Sequence, residues 1–178
     1  MKHNLEEILK AGGVAVIPTD TIYGIVASAG SVKGVEEVFG LKKRNPEKPV
    51  LVLVSSVGDI VSFGAELPKD KSIFLRKKTT VVLPLMPRVQ KKFRYLHRGK
   101  NTLGFRIPQR KGLLRLLKKT GPLIAPSANP EGLEPARTIG EARSYFGEKV
   151  DFYLGGRVSK KASRIVALKS GKLVVLRK

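Results

Sequence analysis

The 178-residue sequence has no cysteine, no tryptophan and only two histidines, His3 and His97, far apart in the chain. Without cysteine there is no disulfide framework, no thiolate zinc site and no thiol nucleophile. Two distant histidines argue against a histidine-based triad and against a multi-histidine metal centre. His97, set in a basic segment, reads as a surface residue. No apolar run approaches the roughly 18 residues of a membrane span. The opening MKHNLEEILK carries two glutamates and no long apolar stretch, so it does not read as a secretory signal. The expectation is a cytoplasmic protein with no membrane partner. Two common nucleotide signatures are also missing: no glycine-rich run ends in Gly-Lys-Ser or Gly-Lys-Thr, and there is no Gly-x-Gly-x-x-Gly. The largest absence is local. Residues 71–120 hold 16 Lys and Arg and not one Asp or Glu.

That gap makes a steep charge gradient. The net charge is −1 over residues 1–70, +16 over 71–120 and +6 over 121–178, within a total of +21. Such a field suits nucleotide phosphates, RNA or anionic lipid, and simple solubility is the plainer alternative. The rest of the composition is globular, with 42% hydrophobic residues, 18 Gly and 11 Pro. The length suits one domain over residues 1–178, large enough to bury a core without staples.

Hydrophobic periodicity gives the elements. Asn4 caps a helix whose apolar face is Leu5, Ile8 and Leu9, stopped by Gly12-Gly13. Val14–Ile17 reads as a buried strand, Pro18–Gly24 as a polar turn, and Val35, Val38, Phe39 and Leu41 as one helix face. The unbroken run Val50–Val54 reads as a central strand covered on both faces. Thr79–Leu85, Thr102–Ile107, Leu123–Ala125, Phe152–Leu154, Ile165–Leu168 and Leu173–Leu176 read as further strands. Ser170-Gly171 marks a hairpin between the last two. Helices are expected over Gly112–Lys119 and Ile139–Phe146. This irregular alternation predicts an α/β or α+β domain on a mixed sheet.

Three polar clusters fall at element ends, where loops expose groups on a rigid frame. Thr19-Asp20-Thr21-Ile22-Tyr23-Gly24 offers a cup for a small polar ligand, or else an ordinary Ser/Thr turn. Lys42-Lys43-Arg44-Asn45-Pro46-Glu47-Lys48 offers a guanidinium fork and point charges for phosphate, or a solvated helix end. Pro126-Ser127-Ala128-Asn129 aims two polar side chains one way from a strand end, or is a routine loop.

Taken together, PTDTIYG (18–24), KKR (42–44) with a following Lys-Pro, TLGFRIP (102–108), PSAN (126–129) and SRIVAL (163–168) resemble the YrdC/Sua5 family in order and spacing. The resemblance runs from about residue 5 to 177, and is to the short YrdC type without a further C-terminal domain. It implies a twisted, mixed open sheet flanked by helices, with a basic concave face. It also implies a threonylcarbamoyl-AMP synthase, which joins L-threonine, bicarbonate and ATP and releases pyrophosphate. The product serves modification of adenosine 37 in tRNA, through partner proteins of a transferase complex. Carried residue by residue, the resemblance makes Thr21, Arg106, Ser127 and Ser163 threonine contacts. It gives catalytic phosphate-facing roles to Lys42 and Arg44, and nucleotide contacts to Arg44, Lys48, Thr102, Asn129 and Arg137. Charge stabilisation by fixed cations needs no protein nucleophile. Mg²⁺ is expected only as the companion of ATP, using few protein ligands. Asn45 stands where the family usually has proline, and Leu53 where some members have histidine. The run Arg76–Thr80 replaces a common Pro-Gly-Pro step, and Ser163-Arg164 replaces a Ser-Thr pair.

Two other readings fit the residues. A non-catalytic RNA-binding module of the same fold would use residues 71–119, with Phe93, Tyr95 and His97 stacking on bases among the cations. A carbamoyl transferase of the hydrogenase-maturation type would need zinc-finger and acylphosphatase segments that this sequence lacks.

Overall fold

Asn4 begins the first helix as its sequence predicts. Its side chain accepts the Glu7 amide and the Glu7 carboxylate accepts the Asn4 amide, a reciprocal cap on α1 (Leu5–Lys10). The computed structural model describes residues 4–159 and 161–178, so His3 lies outside the described residues. After α1 come β1 (Ala15–Pro18), β2 (Tyr23–Ser28), α2 (Val32–Lys42), β3 (Leu51–Leu53), α3 (Val57–Ser62) and β4 (Thr79–Pro84). Next are α4 (Pro87–Gln90), α5 (Arg94–His97), β5 (Thr102–Arg106), α6 (Lys111–Thr120) and β6 (Leu123–Ile124). The chain continues through α7 (Ile139–Phe146), β7 (Phe152–Tyr153), β8 (Arg164–Lys169) and β9 (Lys172–Arg177).

The strands form one nine-stranded sheet in the order β7-β1-β2-β6-β3-β5-β4-β8-β9. Pairs β1–β7, β3–β5 and β4–β8 are parallel and the others antiparallel, so the sheet is mixed as expected. The run Val50–Val54 does supply the middle strand, β3. Ser170 (φ 46°) and Gly171 (φ 75°) make the tight turn between β8 and β9, with both residues in the left-handed region that such a hairpin needs. β2 is not among the expected strands. It continues straight out of the polar turn, and the small residues Gly24 and Ala27 leave only Ile25-Val26 as an apolar signal.

Period-two alternation sorts side chains onto two faces. On one face Val14, Val16, Ile25, Ala27, Val52, Val54, Leu83, Leu103 and Phe105 join a large core with α2, α3, α5 and α7. On the other, Ala15, Ile17, Val26, Leu53, Leu123 and Ala125 pack with Leu9 of α1 and Leu113 and Leu117 of α6. That second layer covers only the β1-β2-β6-β3 half. Leu53 is fully buried in it, under α6.

The basic segment corrects two expectations. His97 is 2% exposed and is not a surface residue. Its Nδ1 accepts the amides of Gly99 (3.1 Å) and Asn101 (3.3 Å), leaving Nε2–H to donate to the Gln90 carbonyl (2.7 Å). Phe93 is buried, 4.9 Å from the Phe63 ring centre, and Tyr95 donates its hydroxyl to the Ala29 carbonyl at 2.7 Å. These aromatics are core and anchor, so they are not free to stack on bases.

Candidate active site

The uncovered half of the second face is a cleft. On β5 the alternate residues Thr102, Gly104 and Arg106 point away from the core residues Leu103 and Phe105 and form its floor. Thr80 and Val82 of β4, Leu51 of β3, Ile165 of β8 and Arg177 of β9 extend that floor. The loop from Thr19 to Gly24 and the Pro126-Ser127 turn make the wall, enclosing about 350 Å³. Gly104 keeps the floor low, because a Cβ there would lie 3.2 Å from Thr80 Cγ2.

The lining carries three guanidinium groups, Arg44, Arg106 and Arg177, and hydroxyls from Thr19, Thr21, Thr80, Thr102, Ser127 and Ser163. Arg106 is 3% exposed, and its nearest counter-charge is Asp20, with Nη2 3.4 Å from Oδ1. At that separation neither Asp20 oxygen has a hydrogen-bond partner, and Arg106 Nε also lacks one. Burial pushes the Arg106 pKa down, opposed by Asp20 and reinforced by Arg177. A buried guanidinium with an unspent donor at the cleft floor is built to receive an anion. Arg177 donates through Nε (3.1 Å) and Nη2 (2.7 Å) to the Ser163 carbonyl, while Ser163 and Thr80 share a hydroxyl bond of 2.9 Å.

The wall loop is a turn and a cup at once. The Thr19 hydroxyl donates to the Ile22 carbonyl at 2.6 Å and sits 3.0 Å from the Thr21 hydroxyl. Arg110 fastens this loop from behind, donating to the carbonyls of Thr19 (3.2 Å) and Arg157 (3.0 Å). The segment after β7 runs along the mouth. The Tyr23 hydroxyl donates to the Gly156 carbonyl, the Ser159 amide donates to the Thr21 carbonyl, and Lys78 Nζ reaches Ser159 Oγ.

Of the residues picked out in the sequence, Thr21, Arg44, Thr102, Arg106, Ser127 and Ser163 meet in this cleft. Lys42, Lys48, Asn129 and Arg137 are not among its lining residues. Lys42 is 2% exposed, and its Nζ donates to the carbonyls of Ser127 and Asn129. Burial, with help from Arg44 and against Glu131, brings its pKa from 10.5 to about 8. Its charge therefore lies beneath the Ser127–Asn129 turn and not in the cleft. Asn129 spends its amide on the carbonyls of Pro130 (3.0 Å) and Leu133 (2.6 Å), and Lys48 pairs with Glu131. The Asn45 amide donates to the same Glu131 carboxylate at 2.5 Å, a bond that proline at this position cannot make. The Lys-rich and Ser-Asn clusters are thus one cross-linked unit, from which Arg44 reaches the cleft. Lys43 at φ 48° ends α2, and Arg44 then donates from Nη2 to the Pro49 carbonyl at 2.9 Å. Arg137 is exposed on the loop before α7.

Sequence reasoning did not single out Thr80 or Arg177. Thr80 is the second residue of a β-branched strand and Arg177 closes an aliphatic one, so each looks like an ordinary strand residue until the sheet order brings them together.

Comparison with known proteins agrees with this architecture. The family model for Sua5/YciO/YrdC proteins, described as "Telomere recombination", matches residues 7–178. A threonylcarbamoyl-AMP synthase of Marinobacter nauticus is 32% identical over 166 residues, covering 90% of this chain and 87% of that protein. Sua5 of P. abyssi, solved in complex with L-threonine, superposes with a TM-score of 0.86 at 24% identity. That match covers 97% of this chain but 52% of the longer Sua5 chain. E. coli YciO matches with a TM-score of 0.82 at 20% identity, over 97% of this chain and 86% of its own.

Proposed function

The chain belongs to the Sua5/YciO/YrdC family, and from that premise we propose that it is a threonylcarbamoyl-AMP synthase. Its substrates in this reading are L-threonine, bicarbonate and ATP. The observation that carries the reading is the cleft lining: three arginines and six Ser and Thr hydroxyls, with no carboxylate among the described lining residues. Such a lining suits two anionic substrates held side by side. The relative named for this product and the threonine-bound Sua5 support the choice of substrates.

In this mechanism the threonine carboxylate takes the unspent donor of Arg106, and the Thr21 and Ser163 hydroxyls hold the rest of the amino acid. Ser127 and Thr102 border the nucleotide. The threonine nitrogen is first carboxylated by bicarbonate, with loss of water. A carbamate oxygen then attacks the α-phosphorus of ATP, the bond to the β-phosphate oxygen breaks, and pyrophosphate leaves. Arg44 and Arg177 face the charge that builds during this displacement, and being preorganised they stabilise it without reorganisation. Lys42 and Asn129 position the Ser127 turn. The lining offers no carboxylate to Mg²⁺, which enters only with the ATP phosphates, and no step is assigned to it. Incubation with ATP, threonine and bicarbonate tests the reading, with pyrophosphate and the adenylate measured by mass spectrometry. Pyrophosphate release that ignores threonine overturns it.

Transfer to tRNA, through partner proteins, is the fate this reading gives the product. Thirteen of the 16 cations in residues 71–120 are exposed, among them Lys91, Lys92 and Arg94. They support weak, backbone-directed tRNA contact that falls steeply with salt. Reversal of Lys91, Lys92 and Arg94 to Glu flattens that salt slope in filter binding and leaves adenylate synthesis intact. With Phe93 and His97 buried, nothing favours a stacking RNA module in place of the enzyme. No helix among the described residues is long and apolar enough to cross a membrane.

A further inference from the structure

We propose that the outer edge of β9 is a docking site for an acidic, extended segment of a partner protein, added to the sheet as one more strand.

Among the described residues β9 is an edge strand of the sheet and pairs only with β8, so the backbone groups on its outer side have no ladder partner there. All six of its residues are exposed. Four consecutive aliphatics stand in solvent: Leu173 at 39%, Val174 at 42%, Val175 at 42% and Leu176 at 52%. Exposed edges in folded proteins are usually shortened, bulged or interrupted by charge. β9 is six residues long; one register shift against β8 leaves Leu176 unpaired near its end, but Lys172–Val175 is regular, and the charges sit only at the strand's ends, Lys172 and Arg177, leaving the middle apolar. The opposite edge, β7, is two residues long and half-buried.

The charge around this edge selects the occupant. Residues 164–178 contain Arg164, Lys169, Lys172, Arg177 and Lys178 and no carboxylate. Two-fold antiparallel pairing of β9 with a second copy sets Lys172 opposite Arg177 of the other chain, a like-charge contact that opposes self-association. RNA is a poor complement to a band of four aliphatics without an exposed ring. A strand with apolar residues in its middle and carboxylates at its ends satisfies the open ladder, the aliphatic side chains and the exposed cations Lys172 and Lys178 together, while Arg177 stays turned to the cleft. The position adds a consequence that rests on the synthase reading. Arg177 ends β9 and lines the cleft, so a partner seated here stands beside the mouth through which a reactive adenylate leaves. The class of partner this favours is a protein that consumes that product.

The test uses the full ¹⁵N-labelled chain and two blocked hexapeptides, Glu-Val-Thr-Val-Thr-Glu and its counterpart with lysine at both ends. At millimolar concentration the acidic peptide shifts amides at 172–177 and slows their hydrogen exchange, and the lysine peptide acts several-fold more weakly. The Lys172→Glu/Lys178→Glu variant reverses that preference. Equal response to both peptides, shifts centred elsewhere, or no protection of β9 overturns the proposal. So does concentration-dependent dimerisation through β9 without peptide, or a single-stranded oligonucleotide that shifts the same amides more strongly. The two-peptide comparison on the unaltered chain stands even if the variant folds poorly. Pyrophosphate release, assayed separately, reports on the synthase reading alone.

Discussion

The second face of the sheet is used in two ways. Over β1, β2, β6 and β3 the outward positions are Ala15, Ile17, Val26, Leu53 and Leu123, sealed beneath α1 and α6. Over β5, β4 and β8 the equivalent positions include Thr102, Gly104, Arg106, Thr80 and Ile165, and they line a cleft. The strand geometry is common to both halves. What differs is the class of residue placed at every second position and the presence of a covering helix. The floor of such a site needs no special loop, only its wall does: leaving off the cover and changing alternate side chains turns core into cleft floor.

Substitutions in the two halves sharpen the contrast. Arg106→Leu has the largest expected effect, because it leaves the Asp20 carboxylate buried without its counter-charge. Breaking such a pair costs about 3–5 kcal/mol, and threonine-dependent pyrophosphate release falls to background. Adding Asp20→Asn restores much of the stability in urea melts and none of the activity. On the sealed half Leu117→Ala does the reverse. It costs about 2–5 kcal/mol of stability, while KM for threonine and ATP stays at its original value. If Leu117→Ala instead moved KM with no loss of stability, the division between the halves would not hold.

Arg44→Ala comes next. Loss of one charge-assisted contact to phosphate is worth about 1.5–3 kcal/mol, so calorimetry with a non-hydrolysable ATP analogue shows affinity lower by roughly ten-fold or more. Threonine affinity changes little.

Lys42 gives an effect that is slight near neutral pH and has a definite sign. Its folded pKa is about 8 against 10.5 for the free group. Between these values the unfolded chain holds a proton that the folded chain has shed, so this group makes stability rise with pH, by at most about 1.4 kcal/mol per pH unit. Below about pH 8 the charge is retained, at a cost in stability. Urea midpoints from pH 7 to 10 therefore climb less in Lys42→Met than in the unaltered chain. Nucleotide affinity of the unaltered chain weakens over the same range, since the cation beneath the Ser127 turn is lost, and Lys42→Met lacks that dependence.

Much of this was legible in the residue order. The Asn4 cap, the Val50–Val54 run and the Ile139–Phe146 helix are local signals, and the structure keeps them. Six of the residues chosen from motifs line the cleft. The others lie outside the cleft lining, for reasons the sequence hides. Lys42 looks like a phosphate ligand in sequence because a turn 85 residues away, the one that claims its ammonium, is invisible there. Leu96 and His97 are the buried side of a four-residue helix that Phe93 precedes, and Lys91, Lys92, Arg94, Arg98 and Lys100 crowd the same stretch of sequence, so charge density hid an apolar face. Thr80 and Arg177 needed the sheet order, and the placing of β8 between β4 and β9 follows from packing of the whole chain.

The strand order also sets a timetable for synthesis. β7 lies at one edge of the sheet and β8 near the other, with the connecting segment passing the cleft mouth. The buried residues of the layer under α1 and α6 come from positions up to Ala125, with only Phe152 added at its margin later, so most of it can pack while the chain is still being made. Among the cleft-lining residues, Ser163, Ile165 and Arg177 are the last to reach the ribosome exit. A nascent chain emerging at about 5–20 residues per second thus has the residues of that smaller layer before it has a complete binding cleft or the Val166 contribution to the larger core, and the full lining is present only once β8 has paired with β4.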